Sequence, residues 1–219
     1  MRAAIFDLDG TLVNSLPGIA EALNHALAEH DLSTHPPDLV EQFIGNGSRM
    51  LVYRGIGGEP FDSLVNKVHE SFLSFYSESL NSGTHLYPGI RGLLETLHLQ
   101  GMLLAVCSNK PHRNTVDIMT RMFSWVPWTR ILGQKKSVPI KPDPAGALSI
   151  ARAMNVPASE VAFVGDSTVD FETAKAAGMH PVLVEWGFTA IEDLNRTTAS
   201  IVSTTTDLRK FLQGPHGVS

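Results

Sequence analysis

From Pro88 to Leu212 the sequence alternates short apolar runs with stretches of helical periodicity, and this alternation restricts the chain more than any other feature. Residues 102–107, 130–132, 161–164, 181–184 and 200–202 read as strands. Helices are expected over 90–99, about 112–123, after Asp143-Pro144, over 168–177 and over 208–212, with a frayed tail from Gly214. Strands separated by helices cannot pair as hairpins. The expected fold class is therefore α/β, a doubly wound parallel sheet with right-handed crossovers. Such sheets bind ligands beyond the carboxyl ends of their strands, so the polar residues after each run carry the functional reading.

A first strand is expected at the start of the chain, where Ala3-Ala4-Ile5-Phe6 runs into Asp7-Leu8-Asp9-Gly10-Thr11. Asp7 and Asp9 are one strand period apart and can point to the same side of the sheet edge. Two carboxylates that close repel each other unless a positive charge intervenes, and a divalent cation with oxygen ligands answers that need. The plain alternative is a strand ending in an Asp-Gly turn.

Between these parts, apolar stripes at helical spacing run over residues 16–30, 39–44, 50–56 and 64–80, with Pro17 where a first helical turn tolerates it. They predict an all-helical insert over 14–84, dividing the chain into a core of 1–13 and 85–219 and a small second domain. Gly45-Asn46-Gly47 and Gly55, Gly57 and Gly58 break the insert. They read either as plain connections or as a lid loop over the first strand, with Asn46 and Arg49 then contacting substrate.

Ser108-Asn109 closes the second core strand ahead of Lys110-Pro111, a phosphate cradle at a helix start or simple helix capping by Asn109. Lys141 is fixed just before a helix by Asp143 as N-cap and Pro144 as first helical residue. It suggests a cation that offsets phosphate charge, with Lys135 and Lys136 as the fallback. Ser167 and Asp170 have capping-box spacing. Asp166, at the end of its strand, caps nothing and calls for a metal or a donor.

Seventeen basic residues face 22 acidic ones, a net charge of −5 with no basic cluster beyond Lys135-Lys136, so a nucleic-acid partner lacks its electrostatic footprint. A single cysteine, Cys107, allows no intrachain disulfide. No apolar run approaches the ~18 residues of a membrane span and no leader pattern precedes the first strand. The expectation is a cytoplasmic protein. Trp125-Val126-Pro127-Trp128 reads as a loop flanking the core, or else as an aromatic patch for a partner.

Together, Asp7-Leu8-Asp9-Gly10-Thr11, Ser108-Asn109, Lys141 before Pro142-Asp143-Pro144, and Gly165-Asp166 through Asp170 resemble the four motifs of haloacid dehalogenase-like phosphatases, in their usual order. The insert resembles that family's helical C1 cap. The stretch Asp9 to Pro17, Gly45-Asn46-Gly47 and Gly187-Phe188 are most similar to the phosphoglycolate phosphatases, although Asn14 stands where many relatives carry Asp. The resemblance implies that Asp7 attacks phosphorus and that Asp9 protonates the leaving alkoxide and then activates water. It implies Mg²⁺ held by the Asp7 carboxylate, the Asp9 backbone carbonyl and Asp166, with Asp170 orienting. Ser108, Asn109 and Lys141 would bind the phosphoryl group, and Thr11 would assist near the leaving group. The presence of Asp9 argues against the dehalogenase branch. The implied substrate is a small phosphorylated metabolite, 2-phosphoglycolate first, for a monomer or weak homodimer without nucleic-acid or membrane partners. A phosphosugar mutase uses the same motifs, and a non-catalytic phosphate-binding module is the third reading.

Overall fold

The structure, a computed structural model, describes residues 1–78 and 83–214. Six parallel strands form its sheet: β1 (Ala3–Phe6), β4 (Leu103–Pro111), β5 (Arg130–Gln134), β6 (Val161–Gly165), β7 (His180–Val184) and β8 (Ser200–Val202). Their order is β5-β4-β1-β6-β7-β8. The helices that follow the strands are α5 (Ile90–Leu99), α6 (His112–Met122), α7 (Ala145–Met154), α8 (Thr168–Ala177), the single turn α9 (Ile191–Leu194) and α10 (Thr205–Gln213).

Strand β1 shows why the sheet must be covered on both sides. Its residues alternate between two faces. Ala4 and Phe6 join one apolar cluster with Leu94, Ile118 and Leu208, while Ala3 and Ile5 join another with Ile150, Met154 and Ala174. All four are fully buried, which is why this strand reads as a continuous apolar run rather than an alternating one. Because β4 and β6 flank β1, the chain reverses direction across the sheet at β1. A crevice opens there, at the carboxyl ends of the three strands.

Helices α1 (Leu16–Glu29), α2 (Pro37–Glu41), α3 (Ser48–Ile56) and α4 (Asp62–Glu78) fill the insert. Leu23, Leu27, Val52, Val65 and Val68 pack between them. The stripe expected to reach residue 80 runs past the described residues, as does the tail beyond 214. Two short strands not legible in the sequence, β2 (Val13–Asn14) and β3 (His85–Leu86), pair antiparallel where the chain leaves the sheet and where it returns.

Two local expectations need correction. Strand β4 does not stop at Cys107 but pairs with β5 out to Pro111, with a register irregularity between Cys107 and Pro111, so Ser108 and Asn109 lie within it. Helix α7 starts one residue later than expected, at Ala145, although Asp143 Oδ1 still accepts the Ala145 N–H at 2.8 Å. Trp125 and Trp128 are partly buried against the core, with the Trp128 ring edge-on to Phe6 and Phe123. This agrees with a core-flanking loop.

Candidate active site

Asp7 and Asp9 follow β1 directly. The Asp7 N–H extends the β1–β6 pairing by donating to the Val164 carbonyl at 2.8 Å. Gly10, with a φ of 82°, then turns the chain. A Cβ at Gly10 would lie 2.3 Å from Asp166 Oδ2, and one at Gly187 would lie 2.2 Å from the Asp166 Cβ. Both positions have to be glycine for Asp166 to approach the first strand.

The structure brings Asp7, Asp166 and Asp170 into one buried cluster whose nearest carboxylate oxygens lie within 4.8 Å of one another. Lys141 Nζ completes it, 2.6 Å from Asp170 Oδ1 and 2.9 Å from Asp7 Oδ1, with a side chain only 4% exposed. Asp170 serves two purposes. Its Oδ2 accepts the Ser167 N–H at 3.1 Å while the Ser167 hydroxyl oxygen accepts the Asp170 N–H, a complete capping box at the start of α8. Its Oδ1 faces Lys141. Helix capping and site formation therefore use opposite oxygens of one carboxylate.

Thr11 does not line the cavity. Its hydroxyl donates to Asp166 Oδ1 at 3.1 Å, and the Phe188 N–H donates to Asp166 Oδ2 at 2.9 Å. These are the donors that Asp166 calls for, and Thr11 is spent on it rather than standing near a leaving group. Asn109 caps no helix. Its side-chain oxygen accepts the Lys141 N–H at 2.8 Å and its amide donates to the Lys141 carbonyl at 3.0 Å and to the Gly45 carbonyl at 3.1 Å. It holds the lysine's backbone in place and ties the insert's glycine loop to the sheet.

Two neighbours of Asp9 escaped the sequence reading. Lys110 Nζ donates to both Asp9 oxygens, at 2.9 and 3.0 Å, and to the Tyr76 hydroxyl at 2.6 Å. The Ser15 hydroxyl donates to Asp9 Oδ1. Lys110 was findable in principle, because it sits one strand period after Ser108. Tyr76, on α4 of the insert, carries no such signal.

A cavity of about 700 Å³ opens over Asp7, Asp9, Ser108, Lys110 and Asp166 and is roofed by Gly45, Gly47, Leu51, Phe72 and Tyr76 of the insert. Asn46 and Arg49 are not among its lining residues. Asn46 accepts from Arg54 Nη2 at 2.7 Å, and Arg49 pairs with the exposed Asp62 at 2.6 Å.

Electrostatics follow from burial and crowding. Burial, aided by the charges of Asp170 and Asp9 and opposed by Lys141, lifts the Asp7 carboxyl to about 6. Burial first, then Asp170 and Asp7, hold the Asp166 carboxyl well above the ordinary range against the Phe188 and Thr11 donors. Burial alone would depress Lys141, but Asp170 and Asp7 outweigh it and keep the ammonium charged. Burial also pushes the Cys107 thiol up to about 12, so it is no nucleophile at neutral pH.

The cluster fits a hard divalent cation. Asp7 Oδ1 is buried without a well-directed hydrogen bond despite its closeness to Lys141, all three ligands offer oxygen, and burial and mutual repulsion penalise three anions left without a metal.

Sheet and cluster together define an α/β enzyme whose polar centre lies at the topological switch point, beneath a helical roof. Residues 4–184 match the haloacid dehalogenase-like hydrolase family, and the chain belongs to it. It is 36% identical over 194 residues to the phosphoglycolate phosphatase of Rhodospirillum rubrum, covering 85% of this chain and 80% of that one. The phosphoglycolate phosphatase of Pseudomonas fluorescens is 34% identical, over 97% of this chain and 79% of that one. The crystal structure of a predicted phosphoglycolate phosphatase from Haemophilus somnus superimposes with a TM-score of 0.88 at 30% identity, covering 97% of this chain and 98% of the other. The family found is the one that the four sequence motifs resemble.

Proposed function

We propose that this chain hydrolyses small phosphorylated metabolites through an aspartyl-phosphate, with 2-phosphoglycolate the first substrate to test. The observation that carries the reading is the gathering of Asp7, Lys141, Asp166 and Asp170, drawn from three separate sequence segments, around one point at the floor of the cavity. Names borne by relatives at about 35% identity support the substrate.

Uncatalysed phosphate-monoester hydrolysis is so slow that enzymes supply up to ~10²¹-fold acceleration, of which general acid–base help accounts for only about 10² to 10⁴. A nucleophile and fixed charges must supply the rest. In this reading an Asp7 oxygen bonds to phosphorus as the ester P–O bond breaks, and a proton on Asp9 passes to the departing alkoxide. The Asp9 carboxylate then takes a proton from water as that water's oxygen bonds to phosphorus. The bond from phosphorus to Asp7 breaks and phosphate leaves. The Ser108 oxygen accepts the Lys110 backbone N–H at 3.2 Å and lines the cavity, so in this reading its hydroxyl proton donates to a phosphoryl oxygen. Lys141 steadies Asp7 from below. The carboxylates of Asp7 and Asp166 and the Asp9 carbonyl would hold Mg²⁺, with Asp170 beside them, and the ion would supply charge stabilisation to the phosphoryl oxygens.

Residues 14–84 act as the cap and 1–13 with 85–219 as the core. Among the described residues no helix is long and apolar enough to cross a membrane. A cytoplasmic monomer or weak homodimer accords with the single cysteine and the modest negative charge.

A phosphate-release screen over metabolite phosphates, with Mg²⁺ and with EDTA, tests the reading. Mg²⁺-dependent release, fastest from 2-phosphoglycolate, is the expected result. Isomer formation from a hexose phosphate without release would make the protein a mutase, and binding without turnover would make it a phosphate-binding module.

A further inference from the structure

Lys110 is not required by the reaction just described, yet it is built into the site with unusual care. The ammonium of a lysine has three protons. Here two meet the Asp9 oxygens, at 2.9 and 3.0 Å, and the third meets the Tyr76 hydroxyl at 2.6 Å. Its side chain is 3% exposed, and Nζ also sits 4.6 Å from the centre of the Tyr76 ring. Taking a lysine's charge out of water is costly, and an enzyme that needed only to orient Asp9 already has the Ser15 hydroxyl for that.

The cavity's charges show what Lys110 is for. Asp7, Asp9, Asp166, Glu41 and Asp193 line it, and Lys110 is the sole cation among the described lining residues. An anion beyond the phosphoryl group would be repelled by every other charged group on these walls. It has one place to go. That place lies at the end of β4, where Ser108 and Lys110 line the same crevice.

Resting on the phosphatase reading, we infer that Lys110, braced by Tyr76 from the insert, is the specificity-determining residue that receives a carboxylate carried by the substrate close to its ester oxygen. The reach is right. An ester oxygen taking a proton from Asp9 lies a hydrogen bond's length from an Asp9 oxygen, about 2.7 Å. The Lys110 ammonium lies 2.9 Å from that same carboxylate. Where both meet the same Asp9 oxygen, the cation therefore stands within the sum of these two hydrogen bonds from the ester oxygen, a gap that the three covalent bonds and one hydrogen bond of a carboxylate separated from that oxygen by a single carbon can span. Tyr76 and Asp9 yield one of the three protons to the incoming carboxylate, and the charge-assisted bond so formed replaces the one given up. Substrates without the carboxylate leave this arrangement as it is and gain nothing from it. The selected class is thus the short 2-phosphoxy carboxylates, over phosphate esters of neutral alcohols of equal size.

The test compares 2-phosphoglycolate with 2-hydroxyethyl phosphate, which has the same chain length and no carboxylate, using the Mg²⁺-loaded full-length protein, its Lys110→Gln variant and its Tyr76→Phe variant. In the wild type, kcat/KM should favour 2-phosphoglycolate by about 10- to 100-fold, the range of one hydrogen bond to a charged group. Lys110→Gln should erase that preference, chiefly through KM for 2-phosphoglycolate, and Tyr76→Phe should reduce it several-fold. A wild type that treats the two esters alike overturns the inference while leaving the phosphatase reading intact, and needs no variant to fold. Equal losses on both esters in Lys110→Gln overturn it too, since the lysine would then serve Asp9 alone. No phosphate release from either ester by the wild type overturns the phosphatase reading and the inference with it.

Discussion

Replacing Asp7, the proposed nucleophile, should make this protein more stable, and the structure gives the size of the effect. Burial and the neighbouring carboxylates raise Asp7 from 3.8 in an unfolded chain to about 6 in the fold. A carboxyl with a raised folded value favours the fold while it is protonated. That contribution is fully present below about pH 3.8 and is lost as the pH climbs to about 6. Each unit is worth 1.36 kcal/mol, so above pH 6 the ionised Asp7 costs the fold about 3 kcal/mol. The attraction of Lys141 is already included in this balance. Asp7→Asn removes the charge, keeps the shape and leaves Lys141 its partner Asp170 at 2.6 Å. At pH 8 in EDTA the variant should therefore be more stable than the wild type by up to about 3 kcal/mol, a rise in Tm of roughly 6 to 12 °C for a chain of this size. At pH 4 the gain should nearly vanish. Adding Mg²⁺ at pH 8 should narrow the gap, because an ion that binds only the folded wild type stabilises it by mass action. Thermal and urea melts at both pH values measure all of this, with phosphate release in parallel showing the variant inactive. A variant no more stable than the wild type at pH 8 in EDTA would refute the reasoning, for the Lys141–Asp7 attraction would then outweigh burial.

Other substitutions separate the roles further. Lys141→Met should cost about 3 to 5 kcal/mol in urea melts near neutral pH, because it leaves Asp7, Asp166 and Asp170 buried without their cation. Asp9→Asn should slow release from alkyl phosphates by about 10²- to 10⁴-fold and from an activated aryl phosphate far less, since a good leaving group needs no proton; equal losses on both would remove Asp9 from the acid role. Gly187→Ala puts a methyl group 2.2 Å from the Asp166 Cβ and should abolish phosphate release under Mg²⁺ while a circular dichroism spectrum shows the fold retained.

Most of the sheet was legible because a parallel strand covered on both faces is written as an unbroken apolar run, and β1, β6 and the Val182 to Val184 part of β7 are such runs. The length of β4 was not legible. Ser108 to Pro111 look like a loop, and only their pairing with β5 across the irregularity makes them strand. Within the site, residues that act through their own position in the chain were readable, as with Asp7 at the tip of β1 and the Ser167–Asp170 box. Those that act through a tertiary partner were not. Thr11 and Asn109 have the chemistry to touch phosphate, but the folded chain directs one to Asp166 and the other to the backbone of Lys141. Tyr76 was beyond reach, since nothing in its helix marks the one residue whose hydroxyl crosses to the sheet.

The pairing of β2 with β3 places Asn14 opposite His85, so the path out of the sheet and the path back into it run side by side. An excursion of 70 residues thus enters and leaves through a gate one strand pair wide. A different loop of chain grafted at the same two residues would present a new roof to Asp7, Asp166 and Asp170, and would have to resupply the Ser15 hydroxyl that Asp9 accepts and the Tyr76 hydroxyl that Lys110 meets.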